Sequence, residues 1–450
     1  MMIDPISRTL AEIQLRLNGD ERGELADYIP QLATADPRLF GIALASLDGR
    51  IYQAGDSLAQ FTIQSVSKPF VHALALADCG FDAVLARVGA EPSGKAFNAA
   101  SLDPVTGRPV NPMINAGAIV TTSLVEANDP VERFERIRAF LSAFAARELE
   151  IDEAVYQSEV ETGDKNRSLA YLTRNAGALT APVDATLDVY FRQCALLVTA
   201  VDLAVMAATL ANGGVNPVTQ EAVVTDEIAG HVLSIMSSCG MYDYSGEWLL
   251  RVGLPAKSGV AGGLIAASPA EFGIGLFSPL LDPRGNSVRG IKVCLELSTR
   301  LQLHMMHHPG HPAPVVYLAQ TGKTLRSSAP RNPQEQARLT ADGEAIIIRG
   351  LQGDLNFAAA ERVMNSLDGV MRADAAGRRW LIFDVDRVGH LQRAASAMLN
   401  ALITALSAVN VTVVVVDAER RTLLPDLSVF STPDLALKWC EDALLADPRP

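Results

Sequence analysis

Apolar and polar positions change their rhythm along this chain, and each change predicts an element. Ile6, Leu10, Ile13 and Leu17 recur at helical spacing and Gly19 follows as a stop, which predicts a short amphipathic helix. Residues 39–56 then give two extended runs, FGIALAS and RIYQAG, joined by Asp48-Gly49, a strong hairpin signal. Between about residues 70 and 231 the pattern is mainly helical. Phe134, Ile137, Leu141 and Phe144 mark one amphipathic helix, and residues 200–211 mark another. Extended segments return at 249–254, 262–267 and 272–278, separated by Gly, Pro and Ser, with a further strand or helix at 291–297. Hairpin, helical insert and strands in that order predict an α+β domain. Its sheet draws on both ends of the segment, and the cleft beside the helical part is where a site is expected.

The grammar shifts after residue 308. Residues 309–341 are rich in Pro, Ser and charge and predict a linker. Strands at 345–349, 380–385 and 411–417 then alternate with helices at 357–371, 393–407 and 434–445. Such alternation predicts a small α/β domain over residues 342–450, with at least part of its sheet parallel. The expected layout is therefore a domain over 1–308, a linker over 309–341 and a second domain over 342–450.

Composition narrows the function. The chain has 450 residues, 49% of them hydrophobic and 20% charged, which fits a globular protein. Lys and Arg number 38 against 51 Asp and Glu, a formal net charge of -13 that repels phosphate backbones and acidic membrane surfaces. Nucleic acid and membrane are not expected partners. No run approaches the length of a membrane span, and Asp4 and Arg8 interrupt the apolar core that a signal peptide needs. The five cysteines are scattered, without a Cys-x-x-Cys pair, and read as reduced thiols of a cytoplasmic protein.

The candidate chemistry begins at Gln64-Ser65-Val66-Ser67-Lys68. On a helix, Ser65 and Lys68 fall on one face, the geometry of a serine nucleophile with a lysine base. Alone, Ser-x-x-Lys more often marks a solvated helix start. Pro69 lacks an N–H and disfavours helical geometry at Lys68, so a loosened or 3₁₀-like start is expected. A second motif, Lys257-Ser258-Gly259, follows on a strand-like segment; alone it also reads as a plain turn. A Ser-x-x-Lys helix followed by a Lys-[Ser/Thr]-Gly strand is the arrangement of the serine β-lactamase and penicillin-binding class. Gly259 would let the strand approach closely, and the N–H groups of Val260 and Ser65 would then form an oxyanion hole. His304, His307, His308 and His311 look metal-like but have no Cys or carboxylate ligand close by in sequence, and no metal or cofactor is expected.

Further segments extend the likeness. ADYIPQLA (26–33), QSVSKPF (64–70), GRPVNPMINAGAI (107–119), YQSEVETGDKNRSLAY (156–171), YFRQCALLVTAVDLA (190–204), GMYDYSGEW (240–248) and GLPAKSGVAGG (253–263) closely resemble the serine-dependent glutaminase family, in its order. The resemblance implies a β-lactamase-like fold, a sheet plus a helical subdomain, and hydrolysis of L-glutamine to L-glutamate and ammonia through a serine acyl-enzyme. It implies Ser65 as nucleophile, Lys68 as base and Tyr242 as proton relay; a lysine base needs a lowered pKa, which burial and the nearby cation Lys257 would supply. Glu159 would bind the substrate ammonium. Asn115, Asn166 and Tyr190 would surround the amino-acid head, and Tyr28 would line the site. Ser65, Tyr242 and Val260 would also touch the substrate. A homo-oligomer, dimer or tetramer, is expected.

RGLQGDLNFAAAERV (349–363) and IFDVDRVGHLQRAASAML (382–399) resemble STAS domains. Where that family carries a phosphorylatable serine this chain has Arg393, so a docking or dimerisation role with a protein partner is the expected inheritance. Two alternatives stay open. One is another serine amidase or β-lactam-binding enzyme of the same fold; the other is a non-catalytic regulatory protein acting through the STAS-like domain.

Overall fold

The computed structural model describes residues 4–27, 29–96, 98–307, 314–367, 379–419 and 427–447. The chain divides into two compact units, Met1–His308 and Pro309–Pro450.

The first unit opens with helix α1 (Pro5–Leu17), capped by the Asp4 side chain, and buries Leu10 and Ile13. Strands β1 (Gly41–Ser46) and β2 (Ile51–Gly55) form the hairpin predicted at Asp48-Gly49, where Gly49 takes φ +82°. The short strand β3 (Phe61–Thr62) leads into a 3₁₀ turn (Gln64–Ser67) and helix α2 (Lys68–Cys79). The helical part comprises α3 (Phe81–Leu85), α4 (Asn115–Leu124), α5 (Pro130–Ala145), α6 (Glu153–Thr162), α7 (Asp164–Asn175) and α8 (Val183–Cys194). Strand β4 (Leu197–Val198) pairs with β3, and α9 (Ala200–Ala211) and α10 (Asp226–Cys239) follow. Residues 249–254, expected as extended, end the helix α11 (Ser245–Arg251) and pass into a turn. Gly253 and Pro255 give that stretch strand-like punctuation, but they act as the stop of a short helix whose Trp248 is fully buried. Strands β5 (Ala256–Ser258), β6 (Gly263–Ser268) and β7 (Phe272–Phe277) and helix α12 (Val288–Leu301) complete the unit.

These strands make one antiparallel sheet in the order β2-β1-β7-β6-β5, so both ends of the unit build it. Its two faces sort by strand alternation. Ile42, Leu44, Leu264, Ala266, Ile274 and Leu276 pack with α1, α11 and α12; Ala43, Ala45, Ile265 and Phe277 pack with α2 and α9. Gly273 and Gly275 explain how α9 sits so near. A Cβ on either would collide with the α9 backbone at Ala204, so the helix lies directly on β7. The helical part has its own core, including Ile119, Tyr156, Leu187 and Phe191.

In the second unit, β8 (Val316–Thr321), α13 (Pro333–Asp342), β9 (Ile346–Leu355), α14 (Phe357–Asn365), β10 (Arg379–Leu391), α15 (Arg393–Ala408), β11 (Val411–Val416), β12 (Ser428–Phe430) and α16 (Pro433–Ala446) follow in turn. The sheet order is β12-β11-β10-β9-β8, parallel except where β8 meets β9 antiparallel. The segment expected as a linker is therefore largely structured: it supplies an edge strand and most of a capped helix. The Pro residues that suggest a linker flank these elements, and an antiparallel edge strand tolerates such neighbours. No described helix is long and apolar enough to cross a membrane.

Candidate active site

The 3₁₀ turn between β3 and α2 carries the nucleophile candidate, and its backbone is unusual. Gln64, just before Ser65, has φ +48°, a left-handed conformation that costs a non-glycine residue about 1–2 kcal/mol. Pro69 stands at the start of α2, where a missing N–H costs little, and the 3₁₀ start that it predicts is present. The Lys68 amide still donates to the Ser65 carbonyl. Three residues apart, Lys68 Nζ lies 2.8 Å from Ser65 Oγ and donates to Asn115 Oδ1 at 2.7 Å. Asn115, at the first turn of α4, passes the chain on: its Nδ2 donates to Asn166 Oδ1 on α7 at 2.9 Å.

The edge strand β5 supplies the other side. Lys257 Nζ donates to the Ser258 carbonyl at 2.6 Å, and Tyr242 OH donates to the same oxygen at 2.7 Å. Lys257 Nζ lies 4.0 Å from the centre of the Tyr242 ring. A Cβ on Gly259 would stand 3.0 Å from Val66 Cγ2 and 3.2 Å from the Ile63 carbonyl, so the missing side chain is what lets this strand lie against the turn that carries Ser65. Val260, next along, lines a cavity of about 700 Å³ with Glu24, Asp27, Asp243, Asp282 and Arg284. Ser65 and Lys68 are not in that lining; both are buried.

Burial governs the charges. It brings the Lys68 amine down from 10.5 to about 8, against the opposing pull of Cys194 and Glu159. The Glu159 carboxyl, on α6, is pushed up to about 7 by burial, opposed by a hydrogen bond with the Gln64 side chain and by the Lys68 charge. Lys257 was expected to depress Lys68. Instead it is Lys257 that falls well below its ordinary value, through burial first and the Lys68 charge second. Burial raises the Tyr242 phenol, partly offset by a hydrogen bond with Ser65. The phenol stays protonated and can hold or pass a proton. Tyr242 has φ +59°, a second left-handed residue at the cluster.

Ser65, Lys68, Tyr242, Asn115 and Asn166 thus form one hydrogen-bonded group, with Glu159 in electrostatic reach of Lys68. Tyr190 is buried on α8 one turn before Cys194, to which it hydrogen-bonds. Tyr28 lies outside the described residues, as do His308 and His311. The His304 ring packs on Gly253, leaving no room there for a Cβ, and its Nδ1 accepts from the Met306 amide at 3.1 Å. Sequence reasoning misses Gln64, although it sits inside the quoted motif, because a left-handed φ leaves no trace in periodicity. It also misses Ser67, Gln193 and Cys194, whose roles depend on contacts between distant helices.

Fold and site define a hydrolase of mixed α/β architecture. A family model described as Glutaminase matches residues 23–306. Glutaminase 2 of Bradyrhizobium diazoefficiens is 47% identical over 98% of this chain and 72% of its own length. The crystal structure of Mglu in its glutamate form superposes with a TM-score of 0.81 at 37% identity, covering 93% of this chain and 100% of that one. A probable glutaminase from Bacillus subtilis complexed with 6-diazo-5-oxo-L-norleucine gives a TM-score of 0.62 at 33% identity over 68% of this chain and 98% of its own. The chain belongs to the glutaminase family, and its reaction is the hydrolysis of glutamine to glutamate.

Proposed function

We propose that the hydrolysis runs through a serine acyl-enzyme centred on Ser65. The observation that carries this reading is the position of Lys68 Nζ, 2.8 Å from Ser65 Oγ, with its pKa lowered to about 8. A proton lies between these atoms: it belongs to the lysine when Lys68 is charged and to the serine when Lys68 is neutral. In the neutral form Ser65 Oγ attacks the side-chain carboxamide carbon of glutamine and Lys68 takes its proton. The amide N–H groups of Ser65 and Val260 hold the developing oxyanion. Collapse breaks the C–N bond, and the proton returns from Lys68 through Tyr242 to the departing ammonia. Water then attacks the acyl-enzyme and gives a proton to Lys68; the bond between the acyl carbon and Ser65 Oγ breaks, Lys68 returns that proton to Ser65 Oγ, and glutamate leaves. Glu159 receives the substrate ammonium, while Asn115, Asn166, Tyr190 and Tyr28 surround the amino-acid head. Mglu, a protein of this fold, has been solved in a glutamate form, which supports a product site in the fold.

The test uses ammonia release and covalent labelling together. 6-Diazo-5-oxo-L-norleucine places a diazoketone where glutamine has its carboxamide, and it is expected to alkylate Ser65 with loss of dinitrogen. Ser65→Ala should lose both the label and hydrolysis while keeping its melting temperature. Retained hydrolysis by a folded Ser65→Ala protein would overturn the acyl-enzyme reading. Preference for another amide over L-glutamine would favour a different serine amidase.

For the second unit we propose a STAS-like docking or dimerisation module. The parallel order of β9 to β12 with a helix after β10 supports it. Arg393 opens that helix, which argues against a phosphate switch at that position. A cytoplasmic location and a homo-oligomeric state complete the reading. Light scattering on the full chain tests the latter; a monomer at all concentrations would overturn it.

A further inference from the structure

The nucleophile turn is held by a second set of contacts, made through Ser67. Ser67 is fully buried, and its hydroxyl donates to the carbonyl of Gln64, the left-handed residue, at 2.8 Å. Gln193, fully buried on α8, donates through Nε2 to Ser67 Oγ at 3.4 Å. Its Oε1 lies 2.9 Å from the hydroxyl of Thr122, which is fully buried on α4 and also 2.9 Å from the Ala118 carbonyl.

Thr122 and Asn115 are seven residues apart on α4, about two helical turns, and so share one face. That face reaches the nucleophile turn twice. Asn115 reaches it through Lys68, and Thr122 reaches it through Gln193 and Ser67. A left-handed Gln64 persists only where its surroundings over-determine it. We propose that Thr122, Gln193 and Ser67 form a buried positioning chain that clamps Gln64 and thereby sets Ser65 Oγ against Lys68 Nζ. All three are positioning residues, and none touches substrate. The proposal rests on Ser65 being the nucleophile. Displacing a nucleophile by about 1 Å costs on the order of a hundredfold in rate, so a chain of this kind controls kcat more than affinity.

The experiment compares two substitutions at Thr122. Thr122→Val keeps the volume and deletes the hydroxyl; Thr122→Ser keeps the hydroxyl and deletes a methyl. A positioning role predicts that Thr122→Val lowers kcat by about tenfold or more with KM for glutamine within about twofold, while Thr122→Ser stays near wild type. A purely packing role predicts the reverse order, because serine leaves a cavity and valine does not. Ser67→Ala removes a single oxygen and carries the test if Thr122→Val fails to fold; it should show the same fall in kcat and slower labelling by 6-diazo-5-oxo-L-norleucine. Wild-type kcat in both Thr122→Val and Ser67→Ala overturns the proposal, as does the reverse order at Thr122. Ser65→Ala, run beside them, separates the two readings. If it is inactive while the other variants are normal, only the positioning chain fails; if it is active, the nucleophile assignment fails.

Discussion

Asn115 Oδ1 accepts a hydrogen bond from Lys68 Nζ at 2.7 Å, and this contact aims the amine at Ser65. The acceptor is neutral, so it orients the lysine without favouring its charged form as an anion would. Asn115→Asp should therefore shift the acid limb of kcat/KM to higher pH by about one unit or more, because a carboxylate within hydrogen-bond distance stabilises the ammonium. Activity near pH 7 falls and is partly recovered at alkaline pH. Full pH–rate profiles of the two proteins check this. An uncharged fault, such as lost packing, would lower the profile without moving it.

The wild-type profile has its own signature. Below about 8 Lys68 holds its proton and cannot accept one from Ser65. Below about 7 Glu159 is neutral, and in the proposed head site it then no longer offers an anion to the substrate ammonium. Both effects act in the same direction, so log kcat/KM should fall with slope near one between these values and steepen towards two below them. A flat profile from pH 6 to pH 8 would contradict the assignment of Lys68 as base.

Much of this architecture is legible in the sequence, and the exceptions share a cause. Asp48-Gly49 turns the hairpin, and Ser65 and Lys68 meet across one turn, because those features are local. The strand-helix alternation after residue 345 is legible for the same reason. Residues 249–254 and 316–321 mislead because Gly and Pro mark breaks without saying which element they break. The left-handed Gln64, the contact of α9 with β7, and the burial that depresses Lys257 arise between segments far apart in sequence. No window of sequence contains both partners.

The contact of α9 with β7 is open to a single-atom test. A methyl on Gly275 would fall inside van der Waals contact of Ala200 O and Ala204 N, both backbone atoms of α9 that cannot rotate away. Gly275→Ala should destabilise the first unit by about 1–3 kcal/mol or more, read as a lower denaturation midpoint. Gly230→Ala is the control: a Cβ at that position on α10 would meet no atom within 4 Å, and alanine is the better helix former there. Equal stability of the two variants would mean that α9 does not rest on the sheet through Gly275.

The segment expected as a linker is anchored to the last helix. Glu441 is 1% exposed on α16, and it accepts from the Ser327 amide at 2.9 Å, from the Ser327 hydroxyl at 2.5 Å, and from Arg331 Nη2 at 3.0 Å. Ser328 adds a second tie, its amide donating to Asp434 Oδ1 at 2.7 Å. These bonds fasten residues 327–331 to the last helix, and a carboxylate buried this deeply persists only because its oxygens are satisfied. Removing Glu441 leaves the Ser327 amide and Arg331 without that partner, so Glu441→Ala should destabilise the second unit by about 3 kcal/mol. Glu441→Gln keeps an acceptor for Ser327 but loses the charge, and should cost less. Hydrogen exchange of the β11 peptide in the full chain measures both, since opening of the sheet exposes its amides. A free linker predicts no change in that exchange for either variant; graded acceleration, Ala above Gln, is the result that the Glu441 anchor requires.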